Sequence, residues 1–498
     1  MTQFLETAII PKNKYPNIKH HFKYNKILIN EPKWVTSLKS INNNNNICYL
    51  NNSHFEKGTY RIKHPGTYII TENIVFNPNP ENNFQPYSTQ SKYYNKFTYS
   101  LGFFAAITIE SDNVTIDLDN YTIQQSKEHY KQQRFYANIE LGNSPFTPNN
   151  GPANFGNVFF NCNNIIIQNG TLGLSSHHGI HGNNSSNLFF KNLTINNYEV
   201  GGISLNGCHD IVCENITLET INNVDFNHKL VHLIICKPIL EELYLKNTNA
   251  VLGKKKIKEL IDEMNNTIKN ISGITKNKNV FVDGNAYGLS FNGRGPVIGA
   301  FKDTPYNYTA YNIFLNDITI KSIKTAVEET PGYKREYNDL NKKNGGYDKN
   351  IQRGPIAQVF DMKQVNKNNE YCGNILSDIQ LILAKYSVIS SIDNSIIEWG
   401  DKNKEIKINE NRFIYGIDNM NHIMKGNIGV FFSNVKDSII QNVNVKEMIN
   451  NSPLKHTISN AHNNNAIAII GSENIEVTNI LSEKLKSIHG KNKLLLVK

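Results

Sequence analysis

The chain has 498 residues, 39% of them hydrophobic and 19% charged, and a formal net charge of +9. That is enough apolar material for a sizeable core, yet no apolar run approaches the roughly 18 residues that span a bilayer. Residues 1–15 lack the apolar core and small-residue cleavage site of a secretory leader, so neither a membrane span nor a secretory signal is expected.

Basic residues are scattered, with Lys254, Lys255 and Lys256 the tightest run, and no nucleic-acid-binding motif accompanies them. Nucleic acid is therefore not expected as a partner. The six cysteines show no metal-ligand spacing, which points to a reducing compartment and to no bound metal.

Residues 1–65 carry none of the periodicity found later and are expected to form an arm or cap. From Gly66 to Phe76 the alternation of a strand begins. Asp112 to Ile123 (DNVTIDLDNYTI) continues it, and the spacing places Asp117 and Asp119 on one face of one strand. Their Cα atoms should then lie about 6.5–7 Å apart, overlapping the lower range for the carboxyl pair of an inverting glycosidase. The competing reading is bonding at a corner of the chain.

Three segments then align without gaps: NIIIQNGTL, NLFFKNLTI and DIVCENITL, starting at 164, 187 and 210, a constant 23 residues apart. Gly156, Gly179 and Gly202 each stand eight residues before a start, and the spacing returns in Gly429 before Asp437 and Ala466 before Asn474. Within each copy the apolar residues alternate, as in a strand. The polar residue between the two halves is Asn169, Asn192, Asn215, Asn442 or Asn479. Asn tolerates the left-handed backbone of a sharp corner, and stacked amides can form a ladder. A repeat of this length with short strands predicts a solenoid of stacked coils.

The repeat sorts faces. Ile165, Leu188 and Ile211 should point inward with Ile167, Phe190 and Cys213. Ile166, Phe189 and Val212 should point outward, an apolar stripe that something must cover. Residues 228–275 lose the strand pattern, and Ile257, Leu260, Ile261, Met264, Ile268 and Ile271 fall on one face of a helix. This helical insertion is the expected cover, unless it or the stripe serves a homo-oligomer.

His177, His178 and His181 form the densest imidazole cluster, and alternation turns His181 outward in a column with Ser204. An imidazole there suits general-base work or neutralisation of an acidic sugar. Asp225 stands where the chain leaves for the helical insertion, and Arg294 in Asn292-Gly-Arg-Gly295 can grip a carboxylate through two hydrogen bonds. The duller alternatives are a surface-bonded histidine, a helix cap and a glycine turn. The coils resume over 276–485, interrupted by a polar loop at 331–355, and 486–498 is expected to be a cap or tail closing the stack.

The strings NVTIDLDNYTI, HHGIHGNNSSNLFFKNLTI and GGISLNGCHDIVCENITL resemble the coils of the right-handed parallel β-helix family, the pectin lyase fold of pectate lyases and polygalacturonases, over roughly residues 66–485. The resemblance implies an all-β, single-stranded right-handed parallel β-helix of about 23 residues per coil, carrying a helical insertion and loop insertions. It also implies a polysaccharide as partner, bound or processed along a groove on one sheet.

The enzymes' motifs are incomplete. Gly179-Ile-His181-Gly182 departs from Gly-His-Gly, no two aspartates are adjacent, and Arg61-Ile-Lys63 matches a third motif but precedes the first expected coil. No carboxylate cluster calls for calcium, and no cofactor is expected. The Asn-rich composition is similar to that of uncharacterised β-helix proteins of giant DNA viruses. That likeness implies the host cytoplasm or the virion as location, and a structural or surface component of the particle as the alternative function.

Overall fold

Alternating apolar and polar residues make strands here because each coil has an inside to fill and an outside to solvate. The computed structural model describes residues 19–21, 31–40, 46–82, 84, 105–132, 136–143, 160–220, 286–293, 310–325, 397–399, 406–408, 426–450, 463–487 and 490–498, with isolated residues between 241 and 265. Among these, a 13-stranded and a 9-stranded sheet are built from parallel pairings. The protein is all-β, and the stacking of its sheets is that of a solenoid.

The chain alternates between the sheets. Asn163–Leu172, Ser186–Tyr198, His209–Thr220, Ile313–Thr325, Val435–Asn450 and Glu473–Ser487 are successive neighbours in the larger sheet. Ala137–Leu141, His178–Asn183, Gly201–Asn206, Tyr287–Asn292, Asn427–Ser433 and Asn464–Ile470 are successive neighbours in the smaller one. The 23-residue spacing becomes register: Ile165 pairs with Leu188 and Leu188 with Ile211.

The inward columns behave as expected, with Ile165, Leu188, Ile211 and Ile167, Phe190, Cys213 all at 0% exposure within one continuous core. Each such side chain contributes roughly 1.5–3 kcal/mol through burial. At the corners Asn169, Asn192, Asn215, Asn442 and Asn479 all have φ between 53° and 59°. Asn215 Nδ2 donates to Asn192 Oδ1 at 2.9 Å, and Asn192 donates to Asn169 at 3.0 Å. The amide ladder both fixes the corners and links one coil to the next.

Among the described residues the outward stripe is covered by a segment other than the expected one. Ile166, Phe189, Val212 and Phe314 pack against Val35 and Leu38, with Trp34 alongside, on the short helix Lys33–Lys39. The cover thus comes from the N-terminal arm. Of the expected helical insertion, residues 257–259, 261–262 and 265 are helical, with Ile257 and Ile261 buried. Leu260, Met264, Ile268 and Ile271 lie outside the described residues.

The arm also reaches both ends of the larger sheet. Lys19–His21 pairs with Glu476–Thr478 at the far edge, while Ile47–Leu50 pairs with Thr67–Ile70 at the near edge. The C-terminal segment, expected to cap the stack, instead continues it. Residues up to Ser487 remain in the larger sheet, and Asn492–Val497 is the last strand of the smaller one. Among the described residues no helix is long and apolar enough to cross a membrane.

Candidate functional site

The smaller sheet carries the unusual chemistry on its outer face. Register aligns Arg61, Thr108, Glu140, His181, Ser204, Ser290, Phe431, Ala468 and Leu496 in one column across nine strands. Its first six members are polar and its last three apolar.

At its centre His181 Nδ1 lies 2.8 Å from both carboxylate oxygens of Glu140. His181 is 5% exposed and Glu140 1%. Burial pushes the Glu140 carboxyl above its ordinary range, and the neighbouring imidazole pulls in the opposite direction. The residues around Glu140 explain its placement. Ile139 and Leu141 enter the core, so Glu140 between them must face out.

Two histidines share the outer face although they are three residues apart. Gly179 and Ile180 both turn inward, and a Cβ on Gly179 would meet Ile195 Cγ2 at 2.4 Å and the Gly202 carbonyl oxygen at 2.6 Å. The repeated glycine of the sequence is therefore a point of close approach. With two inward residues between them, His178 and His181 stack at 5.1 Å between centroids and 9° between planes. His177 meets His178 edge-on at 4.0 Å. Gly201 on the next strand leaves room for the His178 ring, since a Cβ there would stand 2.9 Å from its Nδ1.

Further along the column, Ser204 is half-buried, whereas Ser290 is 8% exposed. Beyond them Tyr287 stacks on Phe431 at 5.6 Å, within an apolar cluster with Ile428, Ala468 and Leu496. At the other end Arg61 grips Glu110 through Nε at 2.6 Å and Nη2 at 2.5 Å, and Thr108 donates to the same carboxylate at 2.8 Å. Arg61 therefore lies inside the sheet, on the strand Tyr60–Ile62, rather than ahead of the first coil.

The expected column of His181 with Ser204 is present, and His177 and His178 stand beside it. Asp117 and Asp119 are elsewhere, on the larger sheet and its corner. The strand Val114–Asp117 ends before Asp119, which adopts φ 45°, so the two do not share a strand face. Asp119 donates its backbone N–H to Asp117 Oδ1 at 2.9 Å, and Asp117 Oδ2 accepts from Gln168 at 2.6 Å and Asn169 at 3.1 Å. Asp117 thus starts the amide ladder, a corner position that the alternation rule does not foresee. Arg294 and Asp225 lie outside the described residues.

Among the described residues no three His, Cys, Asp or Glu side chains gather to hold a metal ion. Glu140 and Glu110 were not singled out in the sequence, and Arg61 entered there only through the Arg61-Ile-Lys63 match. Comparison with protein-family models, with curated proteins and with solved structures finds no match to this chain.

Proposed function

We propose that the chain is a right-handed parallel β-helix that binds polysaccharide on the outer face of its smaller sheet and processes it there. The right hand follows from the handedness of parallel crossover connections. The observation that carries the functional reading is the buried Glu140–His181 pair. It takes no part in the inward core or the amide ladder, and a buried carboxylate–imidazole pair is costly to keep for packing alone.

Paired in this way, Glu140 fixes the imidazole orientation through Nδ1, and an imidazole so held suits proton exchange with a bound group. His177 and His178 extend the imidazole surface next to it, which suits anionic or hydroxyl-rich sugars. Among the described members of this part of the column, Ser204 is partly exposed while Glu140, His181 and Ser290 are buried. The reading is therefore of a site that takes one sugar unit or its substituent.

The test is a panel of acidic and neutral polysaccharides, followed for binding and for released products. Binding weakened tenfold or more by His181→Ala, with product formation lost in Glu140→Gln, is the expected result. Silence across the panel would sink the reading and favour a structural component of a particle.

A further inference from the structure

Among the described residues, the edges of the two large sheets are guarded against further strands at every place but one. At the far end the larger sheet stops on the basic sequence Lys19-His20-His21, and the smaller sheet stops on Asn492–Val497, with Lys491, Lys493 and Lys498 exposed. At the near end the smaller sheet begins on Tyr60–Ile62, which has Arg61 at its middle. Charges of this kind keep other strands off an edge. The edge of Ile74–Phe76 is closed by a side chain instead, since Asn52 Oδ1 accepts the Val75 backbone N–H at 3.1 Å.

The unguarded place is Ile47–Leu50, the near edge strand of the larger sheet. Thr67 and Thr71 donate their backbone N–H groups to the carbonyls of Asn46 and Leu50. Backbone groups alternate sides along a strand, so those of Ile47 and Tyr49 point to the open edge, where no described strand meets them. Their side chains stand on the outer face, Ile47 58% and Tyr49 61% exposed. Residues 41–53 contain no charged side chain.

We infer that Ile47–Leu50 is the interface of a two-fold dimer, in which it pairs antiparallel with the same strand of a second copy. A strand without charge meets no like charge when it pairs with itself, whereas the basic far edges would repel their own copies. Symmetry also fixes the register. With Cys48 on the axis, Ile47 lies opposite the partner's Tyr49, and Tyr49 opposite the partner's Ile47. These are the residues whose backbone groups face the open edge, so each pair exchanges both hydrogen bonds. Each pair also sets a β-branched side chain against an aromatic one, a favoured cross-strand contact. Placing Tyr49 on the axis would instead set Ile47 against the partner's Asn51, outside the strand.

In the Cys48-centred register the two Cys48 residues face each other without hydrogen bonds, their Cα atoms about 4.5 Å apart, within the reach of a disulfide. Cys48 is partly exposed, with Sγ 3.8 Å from Tyr60 Oη, whereas Cys162, Cys208 and Cys213 are buried. It therefore reports the register. A contact that uses the same surface on both copies closes on itself, so two stacks join end to end and the assembly stops there.

The test is sedimentation velocity of the full chain at micromolar concentration, with and without prior treatment by the thiol oxidant diamide. A dimer is expected, with a Cys48–Cys48 disulfide located by peptide mass spectrometry after diamide. Cys48→Ser should stay dimeric and lose the cross-link. Tyr49→Lys, which gives this edge the charge of the others, should weaken the dimer at least tenfold through like-charge contact, with far-UV circular dichroism unchanged. A monomeric chain overturns the inference and leaves the edge to an extended strand of another protein. A dimer that survives Tyr49→Lys, or that diamide does not link through Cys48, overturns it in favour of a different interface.

Discussion

Lys39 Nζ donates to Glu214 Oε1 at 2.9 Å, joining the N-terminal helix to a strand far along the stack. The bond marks where the helix lies, but the apolar contacts beside it hold the helix down. Val35 and Leu38 are 0% and 4% exposed, over the stripe of Ile166, Phe189, Val212 and Phe314.

Truncation of the helix should therefore matter more than loss of its charge. Leu38→Ala should cost about 2–4 kcal/mol by creating a cavity, while Lys39→Ala, at a partly exposed ion pair, should cost under about 1 kcal/mol. Urea unfolding of the two variants checks the ranking, and Leu38→Ala should also raise binding of an apolar dye. Equal losses would mean that the helix is pinned by charge.

The edge strand Lys19–His21 predicts a change in assembly. Removing residues 1–22 would bare the backbone groups of Glu476–Thr478 at the sheet edge, and bare parallel edges recruit other strands. The shortened chain should self-associate with rising concentration in light scattering, where the full chain does not.

The corner amides predict a difference between two small residues. Asn192 has φ 53° and sits between Asn169 and Asn215 in the ladder. Asn192→Ala loses both hydrogen bonds and strains the left-handed backbone, at about 1–2 kcal/mol for the strain alone. Asn192→Gly loses the bonds and keeps the backbone, so its thermal midpoint should lie above that of the Ala variant.

His129 gives the chain an acid-sensitive element. It is fully buried among Phe76, Phe84 and Tyr136, and burial drives its imidazole from the ordinary 6.5 to about 3. Below pH 6.5 the unfolded chain takes up a proton that the folded chain refuses until about pH 3. Its contribution is therefore complete above pH 6.5 and is lost as pH falls through that window, about 2 kcal/mol of it by pH 5. Urea midpoints at pH 7 and pH 5 should converge in His129→Gln relative to the unsubstituted chain.

The coil was legible because its signals are local and repeated. Alternation within NLFFKNLTI and its neighbours assigns the inward columns, and the Asn at each break marks the left-handed corner. The cover over the stripe was not legible in the same way. Trp34, Val35 and Leu38 lie far from it in sequence, on a helix too short to carry a clear period, and a longer helical pattern in 228–275 drew the assignment.

Half of the candidate site was visible as well. His181 and Ser204 lie in aligned copies of the repeat, which gives their shared column directly. Glu140 precedes that run, in a coil where residues 142–162 separate the two sheets, so no alignment connects it to His181. The alternation of Ala137, Ile139 and Leu141 was its one local signal. Arg61 was set aside because its coil carries none of the repeat, although its strand pairs in register with Ala105–Ile109.

The most direct measurement is hydrogen–deuterium exchange of the full chain with and without the polysaccharide that binds best in the panel. The account predicts new protection in His178–Asn183 and Gly201–Asn206, with the strands of the larger sheet unchanged. Protection confined to the larger sheet or to the N-terminal helix would contradict it.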